Sequence, residues 1–460
     1  MSKVAERLKQ RLPKKGFIRS VGLLAGGTAL GQGMVMLSSP VLTRLYAPAE
    51  IGALAIFMSA VSILTMVTSL RYEMTIPLAE DDEGAANLLV LSLLLTLLLS
   101  VLMGSSVWLL RDAIVHWARA PALRPYLWLL PLSLWGSGTY RALNQWALRK
   151  QDFTPVAYTQ ISQGVSQALA QVGLGLLKVG VVGLLVGDAL GRTSGSSTLA
   201  SLAWRRDRAA LRFVSWARMR RAARLYRQFP LLSSPAVLLN SIGLQLPTLL
   251  LAAFYGPTIT GWFALGQRVI MVPSILVGRA VAQVYYAEAS RLAREDPAGL
   301  RSLFLKTAQG LFLIGIVPIV LLAMKGPWLF ALAFGNSWQQ SGLYVGILVP
   351  MVVLQFTSFP LGASLDAVNR QDLQLAREFL RVASMSGAVI WAGTAHLPPV
   401  TTISIISVVG SAGYLLHILV SWRAITGFVR FRGKDECRIV PKNCLDYRNR
   451  PAEAGTTTTD

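Results

Sequence analysis

Residues 86–110 read ANLLVLSLLLTLLLSVLMGSSVWLL, without one charged side chain. About 18 such residues in a helix cross the hydrocarbon core of a bilayer, and there only a helix or a closed barrel satisfies its own backbone. Eleven further apolar segments accompany this one. Hydrophobic residues make up 53% of the 460 positions and charged residues 14%, against about 25% charged in soluble domains. These proportions exclude a disordered chain and an ordinary soluble enzyme. The fold class expected is an all-α polytopic membrane protein with twelve transmembrane helices.

The twelve segments are 20–42, 51–70, 86–110, 126–146, 156–177, 179–203, 230–254, 261–285, 303–324, 341–362, 374–395 and 401–424. The first is too long for the apolar core of a cleaved signal peptide. Their connections sort the charge. Of the 44 Lys and Arg, 33 fall in 1–19, 71–85, 147–155, 204–229, 286–306, 363–381 and 425–460, all on one side of a twelve-span path. Six fall on the other: Arg44, Arg111, Arg119, Arg124, Lys178 and Lys325. The positive-inside rule then puts both termini in the cytoplasm. A net charge of +22 therefore reflects topology, and no nucleic-acid partner is expected. The stretch RRDRAALRFVSWARMRRAARLYRQ becomes a basic linker lying against anionic lipid headgroups.

A self-match divides the chain. LYAPAEIGALA at 45–55 aligns with FYGPTITGWFA at 254–264, pairing Tyr46 with Tyr255, Pro48 with Pro257 and Gly52 with Gly261. ALRKQDF at 147–153 echoes AVNRQDL at 367–373. Two halves of six spans have the same orientation, so their pseudo-twofold axis runs along the membrane normal. The expected organisation is a basic cytoplasmic N-terminal tail (1–19), an N-terminal lobe (20–203), the basic linker (204–229), a C-terminal lobe (230–424) and a disordered cytoplasmic tail (425–460).

Polar groups at membrane depth face protein or a wet cavity. Gln160, Gln163, Gln167 and Gln171 share one face of the fifth span. They either wall a cavity or hydrogen-bond neighbouring helices. Asp188 and Arg192 stand at i,i+4 in the sixth span, beside a ladder of Gly183, Gly187, Gly191 and Gly195. Asp188 is the candidate for ion coupling, or else the neutraliser of Arg192. Arg268, a third of the way into the eighth span, is costly unless it meets water or an anion. With Arg44, Arg71, Arg141 and Arg279 it suggests a cationic vestibule. Guanidinium groups suit diphosphate because their planar fork donates paired hydrogen bonds. Gln32, between Gly31 and Gly33 in the first span, marks a point where the helix can bend or pack closely.

Catalytic constellations are missing. His116, His396 and His417 are scattered, Cys437 and Cys444 match no metal spacing, and no GxxxxGK[ST] phosphate loop occurs. Neither a cofactor nor a metal is expected.

The segment LSSPVLTRLYAPAEIGALAIFMSAVSILTMVTSLRYEMTIPLAEDDEGAANLL resembles the N-terminal signature of bacterial polysaccharide-biosynthesis flippases. These are the Wzx-type (O-antigen) members of the multidrug/oligosaccharidyl-lipid/polysaccharide exporter superfamily. RQFPLLSSPAVLLNSIGLQLPTLLLAAFYGPTITGWFALGQRVIMVPSILVGRAVAQVYYAEAS resembles their seventh and eighth spans, and FGNSWQQSGLYVGILVPMVVLQFTSFPLGASLDAVNRQ their ninth and tenth. The resemblance implies a V-shaped carrier of two six-helix lobes around a cationic cavity. It implies a polyprenyl-diphosphate-linked oligosaccharide as cargo, flipped to the outer leaflet of the bacterial inner membrane for O-antigen, capsule or exopolysaccharide. Membrane lipids, a polysaccharide polymerase and a chain-length regulator are the other partners implied. Arg71 in RYE and Arg268 in GQR fall on positions typical of the family. A cation-coupled drug exporter of the same superfamily is the competing expectation. A membrane polysaccharide polymerase would need a large outer loop or an acidic pair.

Overall fold

The structure is a computed structural model that describes residues 15–439, Asn369 apart. Every regular element among these residues is helical. The main helices are α1 (Lys15–Leu37), α2 (Ser39–Leu45), α3 (Pro48–Thr65), α4 (Asp82–Leu109), α5 (Leu129–Arg149), α6 (Phe153–Leu176) and α7 (Val181–Thr193). They continue as α8 (Ser196–Arg206), α9 (Trp216–Leu225), α10 (Ser234–Glu295), α11 (Pro297–Phe334), α12 (Gln339–Leu361), α13 (Gln371–Thr394) and α14 (Pro399–Ile439). Six helical stretches among the described residues are long and apolar enough to cross a membrane, the most apolar being Asp82–Leu109.

Several boundaries differ from the expected spans, each for a local reason. α3 stops at Thr65, and Leu70 and Arg71 then take positive φ values of 49° and 66°. That turn feeds a short 3-10 segment, Tyr72–Leu78, whose Tyr72, Glu73, Thr75 and Ile76 are buried. Residues 72–76 of this connection between spans are therefore packed, while Pro77 and Leu78 are exposed. The sixth span is two helices, α7 and α8, parted at Gly195 with φ 87°. The seventh and eighth run together as α10, interrupted only at Gly256 with φ 80°, a value that favours glycine.

The last helix also overruns its expected end at 424 and reaches Ile439. Ile425 is fully buried and Phe428 and Val429 pack beside it, which carries the helix into the predicted tail. Residues 440–460, and 1–14 of the predicted N-terminal tail, lie outside the described residues.

The chain forms two compact units. The first comprises residues up to Pro273 with Val320–Val349 and Val382–Ser407, and the second Ser274–Ile319, Pro350–Arg381 and the chain from Val408. Helices α10 to α14 each contribute a stretch to either unit.

One core of the first unit joins α3 (Leu54, Phe57, Val61), α5 (Leu130, Leu134) and α7 (Leu184, Leu185). Another joins Tyr72 and Ile76 to Leu88, Leu89, Leu143 and Trp146. In the second unit Tyr285, Ala289, Leu300, Phe304, Leu361 and Ile425 form the core.

Close helix approaches use the glycines. A Cβ on Gly31 would overlap the Gln160 carbonyl oxygen, and one on Gly164 that of Gly31, so α1 and α6 meet backbone to backbone. The two repeat motifs meet in the same manner, and reciprocally. A Cβ on Gly52 would overlap the Pro257 carbonyl oxygen, and a Cβ on Gly261 that of Pro48. Their tyrosines also act alike, each hydroxyl donating to a carbonyl: Tyr46 to Gln171 at 2.8 Å and Tyr255 to Leu397 at 3.0 Å.

The basic linker is strapped to the first half. Asn87 of α4 accepts from the Ser215 amide at 3.1 Å and donates to the Phe213 carbonyl. The Tyr72 hydroxyl donates to the Ala223 carbonyl at 3.0 Å, and Arg218 pairs with Glu83. Met219 is buried, while Trp216, Arg220 and Arg224 are exposed.

Candidate functional site

Asp188 lies on α7 and is fully buried. One carboxylate oxygen accepts from Arg192 Nε at 2.7 Å, the bond that i,i+4 spacing allows on one helical face. The other accepts from Gln167 Nε2 at 3.5 Å. Its charge also acts on Arg268 of α10, whose Nη2 donates to the Val35 carbonyl of α1 at 3.1 Å. Four helices, α1, α6, α7 and α10, thus meet at one carboxylate and two guanidiniums. The cluster carries one net positive charge inside the first unit.

The glutamine stripe faces this cluster. Gln171 donates to the Leu184 carbonyl at 3.0 Å, and Gln163 to the Arg192 carbonyl at 3.4 Å. With the Gln167–Asp188 bond, three of the four amides spend a donor on α7. The glycine ladder makes room for them: a Cβ on Gly187 would strike Gln171, and one on Gly191 would stand 2.6 Å from Gln167 Cβ. Gln160 turns the other way and accepts from the Thr28 hydroxyl of α1. These bonds tie α6 to α1 and α7, and among the described residues Gln171 Oε1 is buried without a partner.

The five arginines of the expected vestibule are distributed. Arg71 stands with Arg141 and Glu73, both of which act on it electrostatically, and its Nε is buried without a partner. Arg141 Nη2 pairs with Glu73 at 3.0 Å, and the Ser69 hydroxyl donates to the same carboxylate. Arg44 ends α2 and is exposed, as is Gln32 on α1. Arg279 is exposed on the part of α10 that belongs to the second unit.

Sequence reasoning missed Glu73. It lies two residues past Arg71 in a stretch that reads as a loop, and only the positive-φ turn at 70–71 buries it. The signal available was Arg141, a charge inside a span that needs a counter-charge.

A family model described as "Polysaccharide biosynthesis protein" matches residues 41–342. The chain belongs to the polysaccharide biosynthesis protein family. The match runs from the first repeat motif through the Asp188 cluster and α11. Succinoglycan biosynthesis transport protein ExoT of Rhizobium meliloti (strain 1021) is 25% identical over 327 residues. That alignment takes in 69% of this chain but spans only 62% of the relative.

Solved structures share the fold at low identity. An inward-facing multidrug resistance MATE family transporter of the MOP superfamily superposes with TM-score 0.67 at 18% identity, covering 87% of this chain and 96% of that one. The lipid II flippase MurJ in an inward closed conformation gives 0.66 at 9% identity, over 88% and 90%. This member of the polysaccharide biosynthesis family is thus a multi-pass membrane protein with the MOP superfamily fold, and its relatives are transporters and flippases.

Proposed function

We propose that this chain flips polyprenyl-diphosphate-linked oligosaccharide repeat units from the inner to the outer leaflet of the bacterial cytoplasmic membrane. The observation that carries the reading is the Asp188–Arg192–Arg268 cluster, a net cation buried among apolar helices of a polysaccharide-family protein. A buried excess guanidinium is costly unless an anion visits it, and diphosphate matches its fork. The glutamine stripe sets the wall behind the arginines, and the prenyl tail stays in lipid. Twelve spans in two lobes of six, with both termini cytoplasmic, carry the movement by alternating access. The reciprocal Gly52–Pro257 and Gly261–Pro48 approach supports a pseudo-twofold between the lobes.

The experiment is deletion of the gene in its host with mass spectrometry of polyprenyl-linked intermediates. Complete repeat units on polyprenyl diphosphate should accumulate and surface polymer should disappear. Complementation with Arg268→Ala should restore protein to the membrane without restoring polymer. Normal lipid intermediates after deletion would refute the reading, and altered resistance to organic cations would favour drug export instead.

A further inference from the structure

A third charged cluster lies in the second unit, on α13 and α14, and again sets one carboxylate between two arginines. Glu378 accepts from Arg381 Nε at 3.2 Å and stands 3.5 Å from Arg377 Nη2. Arg381 also hydrogen-bonds the Tyr414 hydroxyl of α14. Unlike the Asp188 cluster, this one leaves atoms unused. Arg377 Nε is buried and has no hydrogen-bond partner among the described residues.

The face of α14 turned to this charge repeats the pattern. Ser411, Tyr414, His417 and Ser421 recur at spacings that align them on one side of a helix. Ser411 Oγ, His417 Nε2 and Ser421 Oγ are all buried without a partner among the described residues. His417 is 4% exposed. It nests where Gly362 has no side chain: a Cβ there would stand 3.3 Å from His417 Nε2. Both arginines act electrostatically on this imidazole.

Buried polar atoms are normally paired, and here the unpaired Arg377 Nε and His417 Nε2 stand together with a second guanidinium, a combination that suits an anionic ligand. Among the described residues two guanidiniums share the Glu378 carboxylate, and the unpartnered Nε of Arg377 belongs to a fork that fits phosphate oxygens. Depth narrows the source. Arg377 is about 9 Å along α13 from Gln371, and His417 about 27 Å along α14 from Pro399, at ~1.5 Å per residue. Against a hydrocarbon core about 30 Å thick, these lengths put the cluster toward the arginine-rich end of the two helices, within reach of a phosphate at that surface.

We propose that Arg377, Arg381 and His417 form a second binding site, for a phosphate group entering from the arginine-rich side, with Glu378 as the resident anion it displaces. Taking the group as the diphosphate of a lipid-linked glycan rests on the proposed function; free phosphate shares the chemistry.

The test measures binding of radiolabelled farnesyl diphosphate to the purified full chain in dodecyl maltoside, a phosphate-free detergent, with farnesol and inorganic pyrophosphate as competitors. Arg377→Gln with Arg381→Gln should weaken binding by about tenfold or more, the loss expected for charge-assisted hydrogen bonds. Glu378→Gln should tighten it severalfold, a gain that a misfolded variant cannot mimic. Displacement by pyrophosphate as readily as by unlabelled farnesyl diphosphate would assign the site to free phosphate, and weaker displacement to a lipid-linked one. No binding, displacement by farnesol, or equal affinity in all variants would overturn the site. The readout is binding alone, so its failure leaves intact the intermediates that accumulate on gene deletion, and the converse also holds.

Discussion

Asp188 and Glu378 each stand between two arginines, yet their surroundings differ. Around Asp188, Gln167 fills the second carboxylate oxygen and the Val35 carbonyl takes a proton of Arg268. Around Glu378, Arg377 Nε and three polar atoms of α14 go unbonded, and the carboxylate is 26% exposed. Composition alone does not distinguish the two clusters. What distinguishes them is how many donors the neighbouring helices have already claimed. The first offers an anion its excess charge, and the second offers unbonded donors besides.

The largest expected effect separates the two carboxylates. Asp188→Asn strips a buried counter-charge from two arginines, which should cost about 3–5 kcal/mol. Glu378→Gln should cost markedly less, because the Glu378 side chain is itself 26% exposed, against 2% for Asp188. Thermal unfolding of the purified variants in detergent measures both, and equal losses would erase the contrast. A middle-sized effect comes from glycine. Gly191→Ala drives a methyl into Gln167 and should destabilise by about 1–3 kcal/mol. Gly413→Ala meets only Arg381 Cγ at 3.9 Å and should stabilise α14 by up to about 1 kcal/mol. Opposite shifts of the unfolding midpoint are the expected outcome. The smallest effect is at single hydrogen bonds. Gln171→Met should lose about 1 kcal/mol with the Leu184 bond. Ser411→Ala and Ser421→Ala, with no partner to lose, should stay within about 0.5 kcal/mol. A larger loss at either serine would mean that it is bonded.

Where periodicity and charge were unambiguous, the sequence was readable. The charge-free run at 86–110 lies in α4, and the fifth span at 156–177 matches α6 to within a few residues. The i,i+4 spacing of Asp188 and Arg192 led directly to their ion pair. The two repeat motifs, legible from the self-match, also pack against each other, which the sequence did not announce. What escaped depended on backbone turns that residue types do not announce. Leu70 and Arg71 carry ordinary side chains, and nothing in them signals the positive φ that returns Glu73 to the interior. Arg377 and Glu378 read as the polar approach to a span, because which face of a helix they occupy is decided by α14, far along the chain. The partners of the glutamines were equally hidden, since the space they use is provided by glycines on another helix.

Gly52 and Gly261 each lie where the other's motif brings a carbonyl oxygen. Neither position can accept a side chain without the opposite strand of the chain giving way. For protein engineering this acts as a matching rule. A chimera joining the first half of this chain to the second half of a relative must bring a glycine and a proline at each of the two motifs, or the halves will fail to seat. Chimeras that keep all four residues should assemble even when the remainder of each half comes from a different parent, which would let the two halves be exchanged one at a time.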